Sequence, residues 1–361
     1  MNIPQMEPWF DEAEAQAVLA YMQSGGWLME FKKTEELERM IAEYTGATYC
    51  VMTVNGTVSL WLALRALGIG RGDEVLVPNL TMIASPNAVV LAGASPVLVD
   101  VEPNTLCIDM VRAAEAITPR TKALMYVPLN GRSGDMEIVA AFCKEQGLFL
   151  LEDAAQALGS RYQGKHLGTF GDIGSFSFSV PKIITTGQGG ALVTDSEELY
   201  RKMRLLKDFG REEGGADIHD DWGWNFKFTD LQAVVGIEQM KKLGGRVKRK
   251  KEIYKRYNDA LHSVHGVIFL QTDILQTTPW FMDIYVDDPN SLQSFLKEYK
   301  IGTRRMYPMV HTQKIYQVAY GGASFPVSAQ FAARGLWLPS SSKLTDEEID
   351  YIAENIKVFY N

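Results

Sequence analysis

Cysteine is scarce in this sequence, which has three cysteines in 361 residues. Cys50, Cys107 and Cys143 stand at wide, unpatterned spacings among apolar neighbours. This distribution argues against a disulfide framework or a zinc ribbon, and it predicts small buried side chains in a reducing compartment. The five histidines do not combine with the cysteines into a metal-ligand spacing, so we expect no metal site.

An excess of positive charge is also missing, because the formal net charge is −8. General nucleic-acid binders normally carry a basic excess, so we expect no nucleic-acid partner. Residues 1–10 lack the charged and apolar regions of a secretory signal, and no apolar run reaches membrane-spanning length. We therefore expect a cytoplasmic protein with no membrane partner.

Short apolar runs alternate with helical patterns through the first half of the chain. Residues 135–147 have the periodicity of a crossover helix between two strand-like runs. This alternation indicates an α/β fold with a mainly parallel sheet that is covered on both faces and binds ligands beyond the carboxyl ends of its strands. The predicted strands are residues 75–77, 97–99, 123–127, 148–151, 190–194 and 284–286.

Several helix boundaries carry capping signals. Thr34 is expected to cap a helix that ends at Gly46. Thr229, and Thr345 together with Glu348, form capping-box patterns ahead of two later helices.

A change in composition near Gly244-Gly245 divides the chain. We predict a large α/β domain at residues 1–244, which includes the N-terminal segment, and a smaller α+β domain at residues 245–361. The basic run at residues 246–256 is interpreted as the solvated face of a helix that leaves the large domain.

Two carboxylates, Glu152 and Asp153, follow the apolar run at residues 148–151. An α/β sheet presents ligand-binding groups at such a strand end. A carboxylate in this position is, however, more often a helix cap or part of a loop ion pair.

Lys182 follows Pro181 at the expected end of a strand with alternating Ser and Phe, and a glycine-rich turn comes next. Burying an ammonium group costs several kcal/mol unless it is paired or neutralised. Formation of a Schiff base would remove this cost. Composition alone favours a surface lysine in a loop.

Asn55, Gly56 and Thr57 stand immediately before a predicted helix. The free N–H groups and the dipole of a helix start suit a phosphate. An ordinary turn with a Thr cap explains the same residues equally well.

Together these features resemble the DegT/DnrJ/EryC1/StrS sugar aminotransferases, a branch of the fold-type-I enzymes that depend on pyridoxal 5′-phosphate (PLP). The resemblance extends from Trp27 to the final helix, and the spacing in residues 303–312 is most similar to that of GDP-perosamine synthases. Its seven ordered segments are residues 55–60, 72–85, 118–123, 151–160, 176–190, 224–233 and 307–312.

The resemblance implies a large PLP-binding domain, a smaller C-terminal domain and a homodimer with shared active sites. Lys182 would hold PLP as a Schiff base and transfer protons, and Asp153 would pair with the pyridine nitrogen. Asn225 would reach the phosphate from the neighbouring subunit. The other expected cofactor contacts are Gly56, Thr57 and Ser177 at the phosphate, Gln156 near the ring hydroxyl and Met82 against the ring.

His311 matches the family's histidine near the sugar, and Lys227 and Arg304 are further expected substrate contacts. The sequence departs from the family at several of these positions. Met82 replaces an aromatic residue, Lys227 replaces an arginine, and Asn130 stands where tyrosine is frequent. These departures bear on the identity of the substrate more than on the type of reaction.

The implied reaction moves an amino group from glutamate to a nucleotide-linked 4-keto-6-deoxyhexose, in amino-sugar synthesis for a surface polysaccharide or natural product. A 3-keto nucleotide sugar or a keto eight-carbon sugar acid is the alternative substrate. A non-catalytic PLP-binding regulatory protein is the alternative of another class. A nucleotide-binding α/β protein without PLP is disfavoured because no G-x-G-x-x-G follows the first strands.

Overall fold

The computed structural model describes residues 1–212 and 217–361. Its helices surround a large and a small sheet. They are α1 (Glu12–Gln23), α2 (Lys32–Thr45), α3 (Gly56–Ala66), α4 (Ala84–Leu91), α5 (Met110–Glu115), α6 (Met136–Gln146), α7 (Glu197–Lys207), α8 (Asp230–Leu261), α9 (Pro289–Glu298), α10 (Lys314–Tyr320), α11 (Pro326–Arg334) and α12 (Asp346–Tyr360), with short 3-10 turns at Leu129–Gly131 and Val310–Thr312.

The large sheet has seven strands, which are β1 (Tyr49–Thr53), β2 (Glu74–Pro78), β3 (Ser95–Val99), β4 (Thr121–Tyr126), β5 (Phe149–Asp153), β8 (Ile173–Ser177) and β9 (Gly190–Thr194). Their order across the sheet is β1-β9-β8-β5-β4-β2-β3. The five central and edge strands from β8 to β3 are parallel, whereas β9 runs antiparallel to β8 and β1 antiparallel to β9. The sheet is therefore mainly parallel, as predicted.

Both faces of this sheet are covered, because successive residues of one strand belong to different cores. Leu76 and Leu124 pack in one apolar cluster, whereas Val75, Val77 and Met125 pack in another. Side chains alternate between the two faces of a strand, so a strand buried on both faces is apolar throughout. Burial of each such side chain contributes about 1.5–3 kcal/mol relative to exposure. The prediction of a doubly covered sheet is confirmed.

A four-stranded antiparallel sheet lies in the C-terminal part of the chain in the order β10-β11-β13-β12. The N-terminal segment also packs here, since Ile3 bridges Ile301 and belongs to the same apolar core. The strands are β10 (Val267–Ile268), β11 (Met282–Val286), β12 (Arg304–Arg305) and β13 (Gly335–Leu338), while β6 (Arg161–Tyr162) and β7 (Lys165–His166) form a separate hairpin.

Helix α8 connects the two sheets without interruption. Its first half packs against α1 and α2 and its second half against α12. The proposed boundary at Gly244-Gly245 falls inside this helix, and the division into two domains stays a prediction. The basic run is helical as expected, but the interpretation as a solvated face is wrong for two of its cations. Arg246 is 4% exposed and Lys250 is 0% exposed, because both donate hydrogen bonds to carbonyl groups inside the protein.

The helix boundaries confirm most of the capping signals. Gly46 ends α2 in the left-handed conformation, with φ 83°, and the side chains of Thr229 and Thr345 cap α8 and α12. The expectation for Thr34 is wrong, because α2 begins earlier and its N-cap is Phe31. Thr34 is instead buried, and both its N–H and its hydroxyl donate to the Asp230 carboxylate.

The three cysteines are buried, as predicted. Within residues 1–212 and 217–361 no helix combines the length and apolar character that crossing a bilayer requires. The same residues contain no cluster of His, Cys, Asp and Glu suited to a metal ion.

Candidate active site

Lys182 lies in a turn beyond β8. The sequence predicted Lys182 at the end of this strand, but the strand already ends at Ser177. The Lys182 N–H closes the turn by donating to the Ser179 carbonyl at 3.0 Å. The Nζ atom lies 4.0 Å from the centroid of the Trp280 ring. Desolvation lowers the pKa of Lys182 to about 8, and the negative charge of Asp153 opposes part of this shift. A substantial neutral fraction therefore exists near pH 8, which a nucleophilic amine needs.

Asp153 is the last residue of β5 and is 5% exposed. Its Oδ2 accepts from the Ser85 hydroxyl at 2.6 Å, and its Oδ1 accepts from the Ala155 N–H at 3.3 Å. Burial raises the pKa of Asp153, while the Ser85 hydrogen bond and the Lys182 charge act in the opposite direction. A cation placed against this carboxylate would be strongly favoured, because little water competes for it.

Glu152 faces away from Asp153, because successive residues of a strand point to opposite faces. Its carboxylate accepts from the N–H groups of Gly168, Phe170 and Gly171 at 2.6–2.9 Å. The structure thus separates the two adjacent carboxylates, and the role of Glu152 is to hold a turn.

The first turn of α3 faces Ser177. The Asn55 side chain caps the helix by accepting from the Val58 N–H at 2.9 Å. The N–H groups of Gly56 and Thr57 have no intrahelical acceptor at this position. A Cβ on Gly56 would lie 3.0 Å from the Ser177 Cβ, so glycine allows the serine to approach the helix start. The arrangement joins backbone donors, a helix dipole and a hydroxyl, which suits a phosphate.

Gln156 lies in the same crevice as Ser177, Lys182 and Trp280. Its Oε1 accepts from the Asn130 backbone N–H at 2.9 Å, which fixes the orientation of the amide and leaves Nε2 as a donor. Asn130 is fully buried with a left-handed φ of 53°, a conformation that asparagine tolerates better than tyrosine. Its two side-chain amide atoms have no hydrogen-bond partner among the described residues.

His311 is held by Asn79, which follows β2. The Asn79 Oδ1 lies 3.0 Å from the His311 backbone N and 3.1 Å from its Nδ1. Met82 is 44% exposed and precedes α4, the helix that carries Ser85. Burial lowers the pKa of His311, so the ring is neutral at neutral pH, and a proton on Nδ1 would leave Nε2 as an acceptor.

The C-terminal part of the chain adds a group of aromatic rings to this site. Trp337 lies 5.9 Å from Trp280 and 4.8 Å from Tyr307, measured between ring centroids. Arg304 is exposed, with its guanidinium 5.5 Å from the Trp337 centroid. The charges of Arg304 and Asp153 both affect the pKa of Tyr307, which burial raises. The rings of Trp280 and Trp337 therefore connect Arg304 with Lys182.

Two expected site residues lie elsewhere in this chain. Asn225 is exposed and bridges Asp208 in an isolated β pairing. Lys227 donates to the Asp208 carboxylate at 2.6 Å. No contact in the described residues connects either side chain with Lys182 or Asp153. The Asn225 side chain is exposed, whereas the Lys227 side chain is 13% exposed and paired with Asp208.

The sequence did not indicate Trp280 or Ser85 as site residues. Trp280 is 98 positions away from Lys182 in the chain, and no local pattern marks it. Ser85 is within a segment that carries the family resemblance, but its bond to Asp153 spans 68 positions. Tyr307 is the first residue of another segment that carries the family resemblance, and this resemblance was the sequence signal for it.

The residues of this site fit PLP. The Gly56 cradle is suited to a phosphate, the buried Asp153 carboxylate to a protonated ring nitrogen, and the Lys182 amine to an aldehyde. The three groups belong to α3, β5 and the turn after β8, which meet at the carboxyl end of the parallel strands.

Comparison with known proteins places the chain among sugar aminotransferases. The DegT/DnrJ/EryC1/StrS aminotransferase family model matches residues 8–357. A GDP-perosamine synthase of Escherichia coli O157:H7 is 38% identical over 330 residues, which cover 91% of this chain and 90% of that protein. A GDP-perosamine synthase of Vibrio cholerae is 33% identical and covers 99% of both chains. The crystal structure of S. venezuelae DesV in complex with a ketimine intermediate superposes with a TM-score of 0.92 at 30% identity, with 99% of each chain covered.

Proposed function

The chain belongs to the DegT/DnrJ/EryC1/StrS aminotransferase family, and we propose that it transfers an amino group from glutamate to a nucleotide-linked 4-keto-6-deoxyhexose. The observation that carries this proposal is that the buried Lys182 amine lies in the electrostatic field of the Asp153 carboxylate and shares a crevice with Ser177, which faces the phosphate cradle at Gly56. In the net reaction, glutamate and the keto sugar give 2-oxoglutarate and the amino sugar.

When bound, PLP supplies an aldehyde that accepts the amino group and a ring that accepts the electron pair. Lys182 would attach the cofactor through Nζ and then serve as the base and acid that moves the substrate proton. Asp153 would hold the proton on the ring nitrogen. Met82 would pack against the ring, with the looser fit of a thioether.

The phosphate contacts follow from the start of α3. The N–H groups of Gly56 and Thr57 and the hydroxyls of Thr57 and Ser177 would bind the phosphate. Gln156 would donate from Nε2 to the ring hydroxyl, because Asn130 already occupies its Oε1.

The keto sugar would enter from the side of the C-terminal residues. The neutral His311 would accept from a sugar hydroxyl, and the exposed Arg304 would meet the nucleotide phosphates. The similarity to two GDP-perosamine synthases supports a GDP-linked 4-keto sugar.

A homodimer with shared sites would complete the phosphate and substrate contacts. Asn225 is exposed beside Trp224 and Trp222, which are 40% and 82% exposed, and Trp27 is 63% exposed. Tryptophan is enriched at protein–protein interfaces relative to the rest of the surface, so these exposed side chains support the proposed dimer. In the dimer Asn225 would reach the partner's phosphate cradle, and Lys227 would face the partner's substrate.

The reaction is tested by the absorption spectrum of the purified protein with PLP, before and after addition of glutamate. We expect the band of the lysine-bound cofactor to disappear and the band of the amino form to grow. Borohydride reduction and peptide mapping should place the cofactor on Lys182, and Lys182→Ala should abolish this label. Lys202→Ala, at an exposed lysine paired with Glu198, is the control.

The amino form is then offered a panel of keto sugars. Turnover with a GDP-linked 4-keto sugar supports the proposal, whereas turnover with only a 3-keto nucleotide sugar or a sugar acid would refute the substrate. A glutamate-insensitive spectrum would refute glutamate as the donor.

The shared site is tested by mixing Lys182→Ala and Asn225→Ala subunits. Half of the randomly mixed dimers would contain both variants, and each of these would have one intact site. Activity should recover to about a quarter of the wild-type value. If each site belonged to a single subunit, mixing would restore none.

A further inference from the structure

Trp280 reaches Lys182 from a different part of the chain. It precedes β11 of the small sheet, yet its ring lies 4.0 Å from the Lys182 Nζ and its indole N–H donates to the Pro181 carbonyl at 2.8 Å. Trp280 is 5% exposed and lines one crevice with Gln156 and Lys182. The same tryptophan thus contacts the lysine side chain and the backbone immediately before it.

The carbonyl group of Trp280 is held by Lys250. The Lys250 Nζ donates to the Trp280 carbonyl at 2.6 Å and also to the Ser340 carbonyl. Lys250 is fully buried in α8; burial lowers its pKa to about 7, and in residues 1–212 and 217–361 no carboxylate pairs with it. Such burial is costly, so an apolar residue would be the simpler choice for helix packing alone.

The Ser340 side chain strengthens this junction. Its hydroxyl accepts from the Met282 N–H at 2.9 Å and donates to the Leu338 carbonyl at 2.6 Å. Two segments of the small sheet, one before β11 and one after β13, therefore meet at the Lys250 Nζ. One of these segments carries the ring that covers Lys182.

We propose that Lys250 is a positioning residue, which fixes Trp280 against Lys182 so that the ring sets the protonation and accessibility of the Lys182 amine. The proposal rests on the proposed function, because it assigns the ring a role toward the cofactor-binding lysine. The ring acts in two opposite ways. Its face attracts an ammonium, whereas its bulk removes water from it.

Desolvation by burial lowers the pKa of Lys182 to about 8, and the Trp280 ring, 4.0 Å from Nζ, is one of the groups that keep water away from the amine. Asp153 is the charged group whose field favours the protonated lysine, and Tyr307, whose pKa burial raises, remains neutral at this pH. Without the ring, water would reach Nζ and the amine would be protonated over a wider pH range. Its attack on an aldehyde near neutral pH would then slow.

The test measures the labelling of Lys182 in the cofactor-free protein. Trace acetic anhydride is applied across pH 6–11, and mass spectrometry gives the midpoint at which Lys182 becomes reactive. Trp280→Leu removes the ring and should raise this midpoint by about 1 pH unit or more, which is a roughly fivefold smaller neutral fraction at pH 8. Lys250→Met should raise it by a smaller amount.

The double variant distinguishes positioning from a separate effect. If Lys250 acts through Trp280, the double variant should have the midpoint of Trp280→Leu alone. Lys251→Met is the matched control, because this neighbouring lysine donates to the Leu275 carbonyl near the surface. It should leave the midpoint unchanged.

Three results would overturn the proposal: an unchanged midpoint in Trp280→Leu, an unchanged midpoint in Lys250→Met, or additive shifts in the double variant. Circular dichroism checks folding, and Trp280→Met replaces the leucine variant if that one does not fold. These readouts need no cofactor or activity. Failure of the wild-type protein to form the reducible Lys182 label with PLP would instead refute the proposed function.

Discussion

The buried ion pair between Arg132 and Asp283 provides the most direct test of how the two parts of the chain are joined. Arg132 follows β4, and Asp283 lies in β11 of the small sheet. Two parallel hydrogen bonds of 3.0 and 2.7 Å connect the side chains, which are 5% and 3% exposed. Tyr285 adds a bond of 2.7 Å to the same carboxylate.

We predict that Asp283→Asn lowers the free energy of unfolding by about 3–5 kcal/mol. The amide keeps the shape of the carboxylate, but it removes the negative charge and turns an N–H donor toward the guanidinium. Arg132 would then remain buried without a counter-charge. Arg132→Met with Asp283→Leu should lose less than the single change, because neither charge is then left unpaired.

The assay is urea denaturation at one protein concentration, followed by fluorescence and circular dichroism. Asp287→Asn is the control, since its carboxylate is 83% exposed and its pair with Arg334 should contribute about 1 kcal/mol or less. Equal losses in Asp283→Asn and Asp287→Asn would refute the reasoning.

The stability difference between the wild-type protein and Asp283→Asn should depend on pH with a defined sign. Burial raises the pKa of Asp283, but the charge and hydrogen bonds of Arg132 outweigh burial and lower it below the ordinary value of 3.8. The stability that this group contributes is therefore present above that ordinary value and is lost as pH falls through the lower, folded-state pKa. The gap between wild type and Asp283→Asn should be constant above about pH 5 and shrink in more acidic solution.

Three further predictions concern the cofactor site. The rate at which PLP attaches to the cofactor-free protein should rise with pH and level off above about pH 8, because the neutral amine attacks and the pKa of Lys182 is lowered to about 8. Stopped-flow absorbance measures this rate, and a rise that continues to pH 10 would contradict the prediction. Gly56→Ala should weaken PLP binding about tenfold in a fluorescence titration, because the new Cβ would lie 3.0 Å from the Ser177 Cβ. Gly245→Ala is the control and should leave PLP binding unchanged, since a Cβ there meets no atom within 4 Å. Asp153→Asn should slow the half-reaction with glutamate on the order of a hundredfold in single-turnover absorbance, and a wild-type rate would exclude its proposed role.

Local sequence features determined much of this structure. The alternation of apolar runs and helical periodicity gave the covered parallel sheet, because each pattern depends on which face of one element is buried. Thr229, Thr345 and Gly46 marked helix ends, since a cap acts within a single turn. The ordered motifs identified the family and the candidate residues Lys182 and Asp153.

The tertiary structure decided what depends on contacts between distant residues. Thr34 looked like a cap, but Asp230, 196 positions away, takes its N–H and hydroxyl. The sequence by itself determined which residues could do chemistry, through motif and periodicity. Only the folded chain brought Trp280 against Lys182 and buried Lys250 in a helix face that looked solvated, because burial and electrostatics depend on neighbours that the local sequence does not contain.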